Sequence, residues 1–426
     1  MSSAAPPRDR MWRELLPPGR RYVTLPSRRH PIVVAEDRTA VLSYVRESLL
    51  AVPPPLPGWL YPAARAALTV PAVRRCVPRL TVPAPDSDAE PSGTARSTVR
   101  RLLSASGSLL LLDHSHDPDA RLILLVFPPG GELPTLAVKV PALPEAAAGV
   151  VREADRLQAL AALPLGEARP AVPTVVGLLR HRGLPALATT ALPGMPMLVA
   201  YHRPRHHTRP APVQADFAAA AVWLAALQSA TTGETEPLDL APRVAEVLDG
   251  QLSGAPSAER ALEELHALRR RLRRYAVPQT AVHGDFWPGN VLVRGGRVSG
   301  VVDWEHARTA GNPLADPARF VVAYCEYLDR RTRPGHRVPG HPGLVAGRPG
   351  AALAYALDGT GWYPRLVRGF LGAPLRRLGL PAACGRDAVL AELAAVAAEA
   401  TDPGFAHAQL RAFTRLASKE ETSWPQ

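Results

Sequence analysis

Hydrophobic positions along this chain follow two rhythms, and the rhythm changes near residue 192. Between 98 and 192 they come in short runs: "SLLLLDH", "LILLVF" and "TLAVKV", then "PTVVGLLR" and "PALATTAL", each bounded by Gly, Pro or Asp. Runs of that length with that punctuation predict strands. Between the third and fourth, "AAGVVREADRLQALAAL" repeats its apolar residues at helical spacing. The segment therefore predicts a small, mostly antiparallel sheet carrying one helix. After the Pro/Gly break "LPGMPM" the helical period takes over: "DFAAAAVWLAALQSA" is one helix, and a second sets Leu262, Leu265, Leu268 and Leu272 on one face. Two strand-like pieces, "NVLVRGG" and "RVSGVVDW", interrupt the helices and predict a hairpin.

Ahead of these lies a region with its own pattern. "HPIVVA" reads as a strand, and "RTAVLSYVRESLLAV" as a helix with Val41, Leu42, Val45 and Leu49 apolar. The stretch 84–97 holds almost nothing to bury and reads as a linker. The expected organisation is an N-terminal extension over 1–83, the linker, a sheet lobe over 98–192 and a helical lobe over 193–426. No internal repeat is visible.

Composition narrows the classes. In 426 residues, 46% hydrophobic, the 47 prolines break the apolar text so that no uninterrupted run approaches the roughly 20 residues of a membrane span. No membrane span is expected. The first twenty residues lack the apolar segment of a secretory signal, and three widely spaced cysteines, Cys76, Cys325 and Cys384, suit a reducing compartment. A cytoplasmic location follows as the expectation. The net charge of +12 is mostly arginine spread along the chain. Its densest cluster, Arg269 to Arg274, ends a predicted helix, where cations meet the helix dipole favourably, and no interleaved aromatics accompany it. Nucleic acid is not the expected partner, and the triad His202, His206 and His207 lacks the acid or Cys that would complete a metal site.

Two rarities point to chemistry. Of the 50 cationic residues only Lys139 and Lys419 are lysines, and only Asn290 and Asn312 are asparagines. In "AVHGDFWPGNVLV", residues 281–293, Asp285 and Asn290 flank a tight turn just before a strand, while Asp303 closes the next strand at "DWE". A hairpin would bring two carboxylates and an amide to one end, a set of hard oxygen ligands suited to magnesium.

"HGDFWPGN", followed by "DWE" thirteen residues after its Asn and then by "GNPLADPARF", resembles the catalytic segment of the aminoglycoside phosphotransferase and choline kinase family, relatives of the protein kinases. The spacing from Asp285 to Asn290 matches the protein-kinase pattern His-Arg-Asp, four residues, Asn. The resemblance covers roughly residues 98–425 and is specific over 281–320. It implies an α+β, two-lobed protein-kinase-like fold, with a small antiparallel-sheet N-lobe and a mostly helical C-lobe, here preceded by the N-terminal extension.

It also implies roles for individual residues. Asp285 would be the catalytic base, Asn290 and Asp303 would hold Mg2+, and His283 and Asp316 would support the loop. Lys139, in "LAVKV", would contact the nucleotide phosphates, paired with Glu153 fourteen residues on. The segment around Thr190, Ala191 and Leu192 would face the adenine of ATP, with GTP as an alternative. Ser106, Gly107 and Ser108, in "SASGS", are the candidates for the loop over the phosphates. Trp287 departs from the protein-kinase pattern, which has Lys there.

The implied activity is phosphorylation of a hydroxyl on a small molecule. Residues 317–426 hold 14 Lys or Arg against nine Asp or Glu, a balance that disfavours a polycationic acceptor and favours a sugar or sugar derivative over an aminoglycoside or amino alcohol. The rival reading is a catalytically silent kinase fold that binds nucleotide or uses the N-terminal extension to dock a protein partner. The intact set of polar residues argues against it, and a protein kinase is disfavoured by "DWE" in place of Asp-Phe-Gly.

Overall fold

The antiparallel sheet that the apolar runs predict is present and larger than expected. The computed structural model describes residues 8–25, 27, 31–49, 77–82, 98–105, 107–113, 120–203, 205–240, 244, 247, 256–330, 332–400 and 402–418. Eight strands run in chain order as β1 Arg21–Leu25, β2 Val33–Glu36, β3 Arg79–Thr81, β4 Ser108–Leu112, β5 Arg121–Phe127, β6 Leu136–Pro141, β7 Val175–His181 and β8 Leu184–Thr190. They form one sheet in the order β3-β1-β2-β4-β5-β6-β8-β7. The helix Ala147–Ala161 fills the connection from β6 to β7.

The N-terminal strands do not make a sheet of their own. β2 pairs with β4 from Val33↔Leu112 to Ala35↔Leu110, so β3, β1 and β2 extend the edge of the lobe sheet. The helix Arg8–Leu15 and the helix Thr98–Ala105 supply Trp12, Leu15, Val99 and Leu103 to a core with Leu122, Leu124, Val138 and Val140. That core lies on the sheet face opposite Lys139, because side chains of β6 alternate across the sheet. Residues 84–97, Cys76 and Lys419 lie outside the described residues.

The C-terminal lobe is helical, as expected. The helices Pro210–Ala230, Pro256–Leu272, Ala315–Glu326, Trp362–Leu378, Ala383–Glu399 and Pro403–Ala417 share one core that includes Phe217, Phe320, Leu265, Val389 and Phe413. Among the described residues Pro210–Ala230 is long and apolar enough to cross a membrane. It is nevertheless a core helix: its Asp216 accepts from Tyr324 Oη at 2.8 Å and sits 2.7 Å from His206 Nε2. Stacked rings place His207 between Tyr201 and His341, and among the described residues no group of three or more His, Cys, Asp or Glu side chains is arranged to hold a metal ion. The arginine cluster is partly spent inside the lobe as well. Arg269 grips Asp239 through two bonds of 2.9 Å, and Arg271 grips Asp387 at 3.0 and 2.6 Å.

The hairpin forms as read. Val291–Arg294 pairs with Arg297–Val301, starting at Val291↔Val301, and Met195–Pro196 of the inter-lobe segment pairs along its outer edge. A second short ladder, Thr280–Val282 with Arg308–Gly311, frames the loop that carries Asp285.

Candidate active site

Strand pairing fixes Lys139 on the inner face of the sheet, opposite Ile123 and Leu187. The helix Ala147–Ala161 runs beneath it and points Glu153 at the lysine. Lys139 Nζ donates to both Glu153 oxygens, at 2.6 and 2.7 Å, and also contacts Asp303 Oδ1. Glu153 Oε1 accepts the backbone N–H of Trp304 at 3.2 Å, so one buried carboxylate ties the strand to the segment just after Asp303. Burial works against the charge on Lys139, but Asp303 and Glu153 outweigh it and the lysine is raised above its ordinary value. The same balance holds Asp303 below its ordinary value, with Lys139 as the main attraction.

Asp303 is held at φ 65°, a left-handed conformation uncommon for a non-glycine residue. Trp304 secures it from the next position: the indole is buried and donates to the Val301 carbonyl at 2.7 Å. Across the hairpin, Val302 N–H donates to the Asn290 carbonyl at 2.9 Å, which sets Asn290 beside Asp303.

Asn290 turns its amide nitrogen toward Asp285, reaching the backbone carbonyl and Oδ2, each at 3.0 Å. Its Oδ1 is then the atom left to serve as a ligand. A carboxamide oxygen and the Asp303 carboxylate are hard donors, and they fit a Mg2+ that keeps waters and shares phosphate oxygens.

Beneath the loop, Asp316 accepts the N–H groups of His283 at 2.7 Å and Gly284 at 2.9 Å. Burial raises the Asp316 carboxyl above its ordinary value, against the opposing pull of His283. The His283 ring is fully enclosed: Nδ1 accepts from Asp285 N–H at 3.2 Å, which leaves Nε2 to donate to the Val302 carbonyl at 2.9 Å. Gly284 has φ +81°, and an added Cβ would overlap the His306 carbonyl. The turn needs glycine there for both reasons.

Other sequence candidates divide. The N–H groups of Thr190 and Ala191 are taken by the carbonyls of Thr174 and Thr135, both at 2.9 Å. Among the described residues that of Leu192 has no such partner, and its side chain packs on Gly300 of the hairpin. Of the three, Leu192 is thus the one with a backbone donor to offer. Ser106 lies outside the described residues. Gly107 and Ser108 need correction: Ser108 is the buried first residue of β4 and pairs with Phe127, four residues along the strand from the Leu112, Ile123, Lys139 row. That is about 13 Å away. The connection that ends beside that row is the one between β4 and β5, and residues 114–119 within it are not described. A single glycine in "SASGS" was a weak local signal, and only the pairing order shows which connection has its ends beside the lysine.

One residue escaped the sequence reading. Arg319 donates Nε to Asp285 Oδ1 at 2.9 Å, with Nη2 at 2.7 Å, and its Nη1 reaches Glu392 at 3.1 Å. The signal was available: Arg319 stands three residues after Asp316 in "LADPARF", one helical turn on and therefore beneath the same loop.

The sequence profile of the phosphotransferase enzyme family (APH) matches residues 91–349, more than half of the chain. No curated protein matches it. Solved structures that it resembles include the aminoglycoside phosphotransferase APH(4)-Ia, 14% identical over 75% of this chain and 97% of that one, with a TM-score of 0.47. Aminoglycoside phosphotransferase APH(2'')-Ib, ADP-bound, is 16% identical over 74% and 95%, with a TM-score of 0.42. An aminoglycoside-3'-phosphotransferase of type VIII is 23% identical over 69% and 87%, with a TM-score of 0.36. The matched stretch contains both the Lys139 strand and the Asp285 loop, and the chain belongs to the APH phosphotransferase enzyme family, as a small-molecule kinase.

Proposed function

We propose that this protein transfers the γ-phosphoryl group of ATP to a hydroxyl of a sugar or sugar derivative, with Mg2+. The observation that carries the reading is the convergence of Lys139, Glu153 and Asp303 on one side, and of Asp285 and Asn290 on the other, across a hairpin whose pairing sets Asn290 beside Asp303. Lys139 would take phosphate oxygens as a compact point charge. Asn290 Oδ1 and Asp303 would hold Mg2+, which when bound neutralises charge on the phosphates. Asp285 would orient the acceptor hydroxyl and take its proton. Leu192 would offer its N–H to the adenine, and His283 and Asp316 would keep the loop in place.

The excess of arginine over acid in residues 317–426 supports a neutral or anionic acceptor over a polycationic one. Cys325 and Cys384 are both free and buried, which suits action in the cytoplasm. We place the lobe boundary at the segment after Thr190, and treat the helix Arg8–Leu15 and strands β1 to β3 as a structural part of the sheet lobe.

The test is Mg-dependent ATP turnover across a panel of sugars, sugar derivatives, amino alcohols and aminoglycosides, for the parent and for Asp285→Ala. Turnover stimulated by a sugar and lost in the variant supports the reading. Stimulation by aminoglycosides alone overturns the acceptor class, and absence of nucleotide binding overturns the whole.

A further inference from the structure

The two oxygens of Asp285 are treated differently. Oδ1 faces two nitrogens of a single guanidinium: it accepts from Nε of Arg319 at 2.9 Å and lies 2.7 Å from Nη2 in the ion pair. Oδ2 receives one, Nδ2 of Asn290 at 3.0 Å. Each carboxylate oxygen offers about two lone-pair directions; the guanidinium covers Oδ1 with two of its nitrogens, while Oδ2 has one direction taken and one open. Arg319 is fixed from behind: Nη1 lies 3.1 Å from Glu392 Oε1 and 3.4 Å from Glu399 Oε2, both on the helix Ala383–Glu399. Its side chain is 17% exposed, and a planar fork held at three nitrogens has little freedom to turn. The N-terminal turn of the Arg319 helix is in turn bound to the loop through Asp316. One helix therefore grips the backbone of the Asp285 loop and the side chain of Asp285 together.

We propose that Arg319 is a positioning residue for phosphoryl transfer, which occupies Oδ1 of Asp285 and so presents Oδ2 to the acceptor hydroxyl. The inference rests on the reading of Asp285 as the base. In the step itself the acceptor oxygen bonds to the γ-phosphorus as its proton passes to Oδ2. The bond from that phosphorus to the bridging oxygen breaks, and ADP leaves with the electron pair. Arg319 touches neither reactant. It acts by holding the carboxylate at one rotation.

The experiment compares Arg319→Met, Arg319→Lys and Asp285→Asn with the parent, using Mg-ATP and the acceptor that gives turnover in the panel above. Lysine keeps the positive charge among Asp285, Glu392 and Glu399, and so keeps the fold, but it cannot make the two-donor fork. Both Arg319 variants should lose about 100-fold in kcat, the scale of a misplaced reacting group, with KM for Mg-ATP unchanged. Millimolar guanidinium should restore part of the rate of Arg319→Met, and ammonium should not. Parent kcat in Arg319→Lys or Arg319→Met, where Asp285→Asn has lost turnover, overturns the positioning role. Parent turnover in Asp285→Asn instead overturns the reading of the base, and the positioning role with it.

Discussion

Lys139 on the sheet and Glu153 on the helix below it share a buried pair of hydrogen bonds, 2.6 and 2.7 Å long, across fourteen residues of chain. Because Glu153 also accepts Trp304 N–H, this pair reports on the placement of Asp303 as well as of the lysine. Replacing Glu153 by Gln removes its charge and one acceptor oxygen, leaves Asp303 as the carboxylate that faces Lys139, and draws the lysine onto a proposed metal ligand. We expect kcat/KM for Mg-ATP to fall about tenfold or more, the worth of one charge-assisted hydrogen bond. Steady-state kinetics at several Mg2+ concentrations checks it; an unchanged Mg2+ dependence would count against the coupling of lysine and metal site.

Asn290 spends its amide nitrogen on Asp285 and reserves its oxygen. Asn290→Ala loses both, and kcat should drop on the order of 100-fold or more. Asn290→Asp restores a ligand oxygen but sets a carboxylate against that of Asp285. It should recover Mg2+ binding, measured by Mn2+ competition, without recovering turnover.

Trp12 is almost wholly buried against the sheet face opposite Lys139. Trp12→Ala should destabilise the protein by about 3–5 kcal/mol, the usual cost of truncating a large buried aromatic. Removal of residues 1–83 should go further and abolish folding of the sheet lobe, since β4 would lose its partner β2. Denaturant titration and nucleotide binding by the truncated chain decide this: a truncated protein that folds and binds ATP would show the region to be dispensable.

Burial beside Glu399 pushes the Glu392 carboxyl up to about 8, against the attraction of Arg319. A raised folded-state value means that the folded protein holds this proton where the unfolded chain has released it. The group's contribution is complete below its ordinary value of 4.5 and is lost as pH rises toward about 8. Stability should therefore decline between those limits, and Glu392→Gln should flatten that part of the curve. Melting temperatures of both proteins from pH 5 to pH 9 test the sign; a steeper decline in the variant would reverse it.

Much of the molecule was legible because its signals are local. Strand-length apolar runs gave the sheet lobe, helical periods gave the second lobe, and a polar turn between two runs gave the hairpin with Asp285, Asn290 and Asp303. The scarcity of lysine and asparagine singled out Lys139 and Asn290 before any geometry was known. Three matters needed the tertiary structure, each because it depends on which distant segments meet. Periodicity showed that "HPIVVA" would form a strand but not that it would pair with β4, so this strand looked separate when it belongs to the same sheet. "SASGS" carries the glycine while the connection after β4, "DHSHDPDA", has none, and only the register of β4, β5 and β6 shows which one ends beside Lys139. Arg319 was one of 48 arginines, ordinary in the sequence. Its hold on Asp285 arises because the loop support at Asp316 brings the start of that helix beneath the loop, and the helix Ala383–Glu399 supplies the carboxylates that fix its far side. Local pattern sets what each segment becomes, while the cost of burying charge without a partner decides which segments meet at the site.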